Sequence, residues 1–297
     1  MKRFFILLLV CLFFNINYAQ TIDTTKLWKK GGVGSLNFNQ VSLSNWAAGG
    51  ENSISASAFV NLFANYQKEK TSWDNTLDMA YGMTKIGKAN LRKSDDKIDL
   101  NSKYGHLAIN NWYYSALINF KSQFADGYSY PNDSVVVSKF AAPAYILLSL
   151  GMDYKPNDFF SLYFSPATGK ITIVNEQKLA DAGDYGVDSG KTHREEFGAY
   201  ITVAFKKDII QNVSFSTKLD LFSNYAHNPQ NIDVNWDAML AFKINNYITA
   251  NIATSLIYDD DTKIPIMKDI NGVNTQIGEG ARTQFKEVFG LGLSYKF

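Results

Sequence analysis

Long runs in which apolar and polar residues alternate recur along this chain and limit its fold more than any other feature. In NSISASAFVNLFANY, residues Ile54, Ala56, Ala58, Val60, Leu62, Ala64 and Tyr66 share one face, and Ser53, Ser55, Ser57, Asn61 and Asn65 the other. In SWDNTLDMAYGMTKI, Trp73, Leu77, Met79, Tyr81 and Met83 oppose Asp74, Thr76 and Asp78. In WYYSALINFKSQF, Trp112, Tyr114, Ala116, Ile118, Phe120 and Phe124 alternate with Ser115, Asn119, Lys121 and Gln123. A side-chain period of two belongs to a β-strand with one apolar face. The pattern predicts twelve strands, at 33–46, 52–66, 72–86, 96–109, 111–125, 140–154, 159–174, 194–206, 212–225, 233–245, 247–259 and 283–297. Most are far longer than the roughly 5–6 residues usual in soluble domains, and each exceeds the ~9–11 that cross a bilayer.

The connections alternate too. Short ones (QKEKT, NN at 110–111, KPND, KKDIIQ, NN at 245–246) take turns with long polar ones such as DGYSYPNDSVVVSK and DDTKIPIMKDINGVNTQIGEGA. Tight turns at one end and long loops at the other describe an all-β, single, transmembrane, antiparallel up-and-down β-barrel of the outer-membrane type. An even strand number puts both termini on the short-turn, periplasmic side. In FGLGLSYKF, Phe289, Leu291, Leu293, Tyr295 and Phe297 alternate to an aromatic end, which resembles the signal read by the bacterial barrel-assembly machinery. The competing reading is a soluble sandwich that ends in an amphipathic strand. Aromatic residues near strand ends fit interfacial girdles: Trp112, Tyr113, Tyr154, Phe159, Phe160 and Tyr247 by the short turns, and Tyr128, Tyr225 and Tyr258 by the long loops.

The first residues, MKRFFILLLVCLFFNINYAQ, read as a secretory signal peptide cleaved after Ala19. Residues 20–32 then form a periplasmic segment, and 33–297 the barrel. Loss of Lys2 and Arg3 takes the basic count from 29 to 27 against 28 acidic residues, so no cationic excess argues for nucleic acid. The single cysteine, Cys11, leaves with the signal, which excludes disulfides and thiol chemistry in the mature chain.

If the apolar face meets lipid, the other face lines the lumen. It carries Asp74, Asp78, Asp99, Asp153, Glu196, Asp220 and Asp237, with Lys103, Lys121, Lys206, Lys218, Lys243, Lys286 and Lys296. This balance suggests ion pairs across a narrow or filled interior rather than an open diffusion pore. Glu287 shares parity with Phe285 and Phe289, so either it faces outward or a bulge turns it in.

Candidate chemistry is sparse. His106, His193 and His227 are the only histidines. A serine–histidine lipid hydrolase, known among twelve-stranded barrels, would need both residues on neighbouring strands near the outer interface. His193 has the right height, but no serine partner stands out. YDDDT, Tyr258–Thr262, lacks the spaced oxygens and glycine of a calcium loop, and GDYGVDSG reads as a flexible loop. No cofactor is indicated, and no residue is assigned a catalytic or metal-binding role.

The stretch FNQVSLSNWAAGGENS resembles a Bacteroidota-type outer-membrane family known only as a domain of unknown function. The resemblance rests on Gln40, Ser42, Ser44, Asn45, Trp46, Ala47, Ala48, Gly49, Gly50, Glu51 and Asn52, with YFSPATGKITIV as a second shared-looking element. It implies the barrel fold and outer-membrane location, with lipid and the assembly machinery as partners, and no transferable activity. Ala47–Asn52 reads as the first outer turn, Gly49 and Gly50 supplying positive φ. The leading expectation is a non-enzymatic barrel for narrow solute passage or surface binding, with a lipid-modifying hydrolase of the outer leaflet as the alternative.

Overall fold

The structure is a computed structural model and describes residues 27–43, 51–130, 132–270 and 273–297. Asn45, Trp46, Gly49, Gly50 and the signal-like segment lie outside the described residues. Twelve antiparallel strands close into a barrel: β1 (Trp28–Val41), β2 (Ser53–Lys68), β3 (Thr71–Ile86), β4 (Arg92–Ile109), β5 (Trp112–Ser122), β8 (Ala144–Asn157), β9 (Phe160–Ile173), β10 (His193–Ile210), β11 (Val213–Asn224), β12 (Ile232–Lys243), β13 (Ile248–Tyr258) and β16 (Gln284–Lys296). Neighbours in this order pair, and β16 returns to β1. Two small hairpins stand apart in the loops, β6 (Gly127–Tyr128) with β7 (Val136–Ser138), and β14 (Ile264–Ile270) with β15 (Val273–Gly280). Among the described residues no helix is long and apolar enough to cross a membrane.

The strand pattern carries into the structure with shifted ends. β1 begins at Trp28, so residues 28–32, expected in the preceding segment, belong to the barrel wall. The loop containing GDYGVDSG carries local structure. It holds the short helix α1 (Gln177–Ala182) and a 3-10 turn (Asp184–Gly186). Leu179, Ala180 and Val187 pack there with Ala142 and Val174 into a core of their own, flanked by Tyr185. Burial pushes the Tyr185 phenol up to about 12, and its hydroxyl donates to the Val137 carbonyl.

The outward face is apolar and exposed. Leu36, Phe38, Leu100, Tyr114, Ile118, Leu148, Leu150, Phe164, Phe197 and Phe289 all project from it. Two networks of polar groups on this face are satisfied within it. The Trp73 indole donates to Ser102 Oγ (2.8 Å), Ser102 to Asn75 Oδ1 (2.7 Å), and the Asn75 amide to the Ala64 carbonyl (2.9 Å). Trp236 likewise donates to Thr217 Oγ1 (2.8 Å), which bonds the Asp237 carbonyl (3.0 Å). A surface bathed in water has no need of such internal pairing, whereas one facing hydrocarbon does. At the short-turn end Trp28 packs on Tyr66 and Trp73, Trp112 on Tyr154, and Phe205 on Phe159 and Phe215. Tyr113, expected in this girdle, faces inward instead, with Lys155 over its ring at 5.3 Å. It neighbours Trp112 in a strand, so the two must point to opposite faces.

Glu287 stays on the outward face, exposed and opposite Thr254, and the β13–β16 register runs from Gln284 to Leu293 without a bulge. Phe289, Leu291, Leu293 and Tyr295 line the same exposed face, and Phe297 stacks on Tyr295 at 6.1 Å. Glu51 and Asn52 end the first long-loop connection, where Asn52 Oδ1 accepts from the Leu43 amide (2.6 Å) and its carbonyl from the Gly87 amide (2.7 Å).

Candidate functional site

The inward face holds the chemistry. It is organised in three tiers of charge between the short-turn and long-loop ends. Nearest the short turns, Asp153 is fully buried, with Lys103 at 2.7 Å, Lys155 at 3.3 Å and the Ser161 hydroxyl at 2.8 Å. Lys155 also pairs with Asp74, and Lys103 donates to Ser161 (2.9 Å).

The middle tier spans the barrel. Lys97 on β4 meets Asp237 on β12 at 3.0 Å. Five strands separate β4 from β12 in either direction around the ring, so this contact bridges the full lumen. Lys121 reaches Asp220 (3.0 Å), Lys218 lies between Asp220 (3.5 Å) and Asp99 (4.0 Å), and the Tyr200 hydroxyl donates to Asp220 (2.8 Å). The Asn119 amide donates to Asp99 (2.7 Å), and that of Asn61 to Asp78 (2.6 Å).

Toward the long loops, Lys170 contacts Asp233 (2.6 Å), Glu196 (3.4 Å) and Asp259 (3.9 Å). Arg194 joins Glu196 (2.8 Å) to Asp261 in the loop after β13. Lys286 on β16 reaches over β1–β3 to Asp95 on β4 (2.8 Å). Lys206, Lys243 and Lys296 stand exposed at the short-turn rim.

Several members of these tiers escape a strict alternation reading. β9 carries a bulge between Phe164 and Ala167, so Ser161, Tyr163 and Ser165 point inward before it and Thr168, Lys170 and Thr172 after it. One extra residue reverses the parity and brings Lys170 inside. Asp95 shares the inward parity of Lys97 and Asp99 and lies one residue before the stretch expected to be a strand, because β4 begins at Arg92; the bulge at Ser94 shifts only the residues preceding it. Lys155 belongs to β8, which runs three residues into the stretch expected to be a turn. Lys97 shares the parity of Asp99 and was legible from that alone.

The lumen is not filled evenly. From β4 round to β11, inward side chains are buried: Leu117, Leu147, Tyr163, Tyr200 and Phe222 form an apolar cluster among Asp99, Asn119, Ser149, Thr202 and Asp220. Along β1–β3, the lower part of β12, β13 and β16 many inward residues are small and partly open, Ser35, Asn37, Ser55, Ser57, Asn61, Asn251, Ser255 and Ser294 among them, with the larger Phe59, Phe63 and Met239 on the same face. The contrast extends to the charges. Asp99 and Asp220 side chains are 5% and 8% exposed, whereas Lys97, Asp237 and Lys286, bordering the open half, are 35%, 41% and 48% exposed.

The histidines lie away from the lumen. His106 and His193 are exposed on strands, paired with Thr71 and Ile173. His227, in the loop after β11, has Asn228 at 3.3 Å and the Asp261 carboxylate at 3.9 Å. Among the described residues no group of three or more His, Cys, Asp or Glu side chains is placed to hold a metal ion.

Residues 38–128, less than half of the chain, match the family described as "Protein of unknown function (DUF3078)". The matched span runs from β1 to β6. Among solved structures, an outer membrane channel (COG4313) from Pseudomonas putida F1 is 10% identical, with a TM-score of 0.39, 94% of this chain and 100% of that one being covered. The translocator domain of the autotransporter NalP from Neisseria meningitidis is 11% identical, with a TM-score of 0.35 and coverage of 100% and 94%. OmpT, an outer membrane protein of Vibrio cholerae, is 8% identical, with a TM-score of 0.32 and coverage of 94% and 100%. No curated protein sequence matches the chain.

Proposed function

We propose that the chain is an outer-membrane β-barrel that lets small polar solutes pass through the open half of its lumen. The observation that carries this reading is the uneven filling: a packed wall from β4 to β11 faces a side where serine and asparagine of β1–β3, β13 and β16 stay partly open beside Phe59 and Phe63. A barrel built only as an anchor gains nothing from leaving half its interior unpacked, since voids forfeit contacts. Two charge pairs, Lys97–Asp237 and Lys286–Asp95, border or cross the path and keep it narrow. The apolar, internally satisfied exterior supports a membrane setting. Within this reading the signal-like segment is removed, both termini lie in the periplasm, and the alternating residues from Phe289 to Phe297 serve barrel assembly.

Reconstitution into planar bilayers tests the passage. Small unitary conductance steps are expected, well below those of a sixteen-stranded aqueous pore. Their absence overturns the reading and leaves surface binding by the long loops as the better one. Lipid hydrolysis by the purified barrel, abolished by His193→Ala, would instead establish an outer-leaflet enzyme.

A further inference from the structure

The charges of the barrel are balanced along its length but not at its short-turn end. There the described residues place eight lysines, Lys29, Lys30, Lys68, Lys70, Lys206, Lys207, Lys243 and Lys296, against three acids, Glu69, Asp158 and Asp208. None of the eight has a carboxylate within 4 Å among the described residues, whereas the lysines deeper in the lumen are held by one or more. Strand register sorts seven of the eight, Lys70 lying in a turn. Lys30, Lys68 and Lys207 share the outward parity, and two of them sit over aromatic rings, Lys30 over Trp28 (5.5 Å) and Lys207 over Phe159 (4.5 Å). That is the placement of side chains that reach along a membrane interface.

Four others share the inward parity. Lys29 lies opposite Asn65, and Lys206 opposite Ser216. Lys243 lies opposite Thr249, whose hydroxyl meets that of Ser294, two residues before Lys296. β1, β16, β12 and β10 thus each contribute one exposed ammonium to the same rim, with Asp208 as the acid that shares their face. Three of these four strands, β1, β12 and β16, also wall the open half of the lumen.

Resting on the passage reading, we propose that this rim is a cationic vestibule that makes the path selective for small anions. Like charges held at a low-dielectric mouth raise the local concentration of the opposite ion, and a ring of one sign is a common basis of pore selectivity. The balanced pairs deeper in the lumen would then narrow the path without reversing the preference.

The test is the reversal potential of the reconstituted barrel under a potassium chloride gradient. Chloride is expected to permeate a few-fold better than potassium at 0.1 M salt. The preference should shrink toward 1 M, as the screening length falls from about 10 Å to about 3 Å. Lys206→Glu with Lys243→Glu and Lys296→Glu should reverse it, and the milder triple glutamine variant should abolish it. Lys207→Glu, on the outward face, should leave it unchanged. A wild-type barrel that conducts without anion preference, or a triple glutamine variant that retains it, overturns the vestibule alone. A barrel that never conducts overturns the passage and the vestibule with it.

Discussion

Asp153 illustrates how much of this barrel is decided by single side chains. It is fully buried, and two ammonium groups and a hydroxyl converge on it. Asp153→Asn removes the charge while keeping the shape, leaving Lys103 buried without its 2.7 Å partner. Breaking a buried pair from one side costs about 3–5 kcal/mol. A loss of that order is expected in urea unfolding from lipid vesicles, and Asp153→Asn with Lys103→Met should recover part of it. On the passage reading proposed above, Lys97 is expected to act on conductance more than on stability, because both it and Asp237 are partly hydrated. Lys97→Ser, combined with Lys286→Ser, is expected to raise unitary conductance by roughly two-fold or more, since narrow pores respond steeply to their constrictions. An unchanged conductance would mean that solutes avoid the open half.

The bulge in β9 is the clearest case of an element setting what residues can do. It turns Ser165 and Thr168 to the same side and drives the Phe164 carbonyl toward Gly151, where an added Cβ would lie 2.1 Å from that oxygen. Glycine in a strand often marks such an approach by neighbouring backbone. Gly151→Ala should therefore lower the folded yield sharply, read as the fraction of chain resistant to protease after refolding into vesicles. The same bulge explains why the outer ion pairs were harder to read than the fold. Twelve strands and their inward charges followed from period two, because every alternating run reported its own face. Lys170 did not, because a bulge moves residues across the wall without any local change of composition, and Asp95 and Lys155 lie on strand ends that extend past the alternating runs. The loop core around Leu179 and Val187 was hidden for another reason. Its apolar residues are few and separated by glycine and aspartate, so no period announces them. That loop is tied down by Lys139–Glu176, where the hydrogen bond from Lys139 holds the Glu176 carboxyl below its usual range. A depressed carboxyl stabilises above its unfolded pKa and loses that contribution as pH falls through the folded value. Protection of amides in residues 174–190, taken relative to their intrinsic exchange rate at each pH, should accordingly fall as pH drops below about 4, and Glu176→Gln should remove that fall.

At the scale of the whole molecule, one cylinder has a tightly packed half and a more open half. The outward tryptophans offer a check on its surroundings: Trp73 and Trp236 are both exposed on the outward face, with indole N–H groups already bonded. Brominated acyl chains should quench their fluorescence in reconstituted protein, and Trp73→Phe with Trp236→Phe should remove most of the quenched signal. Insensitivity to brominated lipid would separate the barrel from the bilayer altogether. The closure of the ring carries a mechanical consequence. β1 is in register with β2 over fourteen residues, Trp28 to Val41, but with β16 over five, Val33 to Asn37. Under tension applied at the last strand, that short ladder is where the cylinder would part first. A single-molecule pulling trace would then begin with one low-force rupture, the barrel opening into a curved sheet before any other strand lets go.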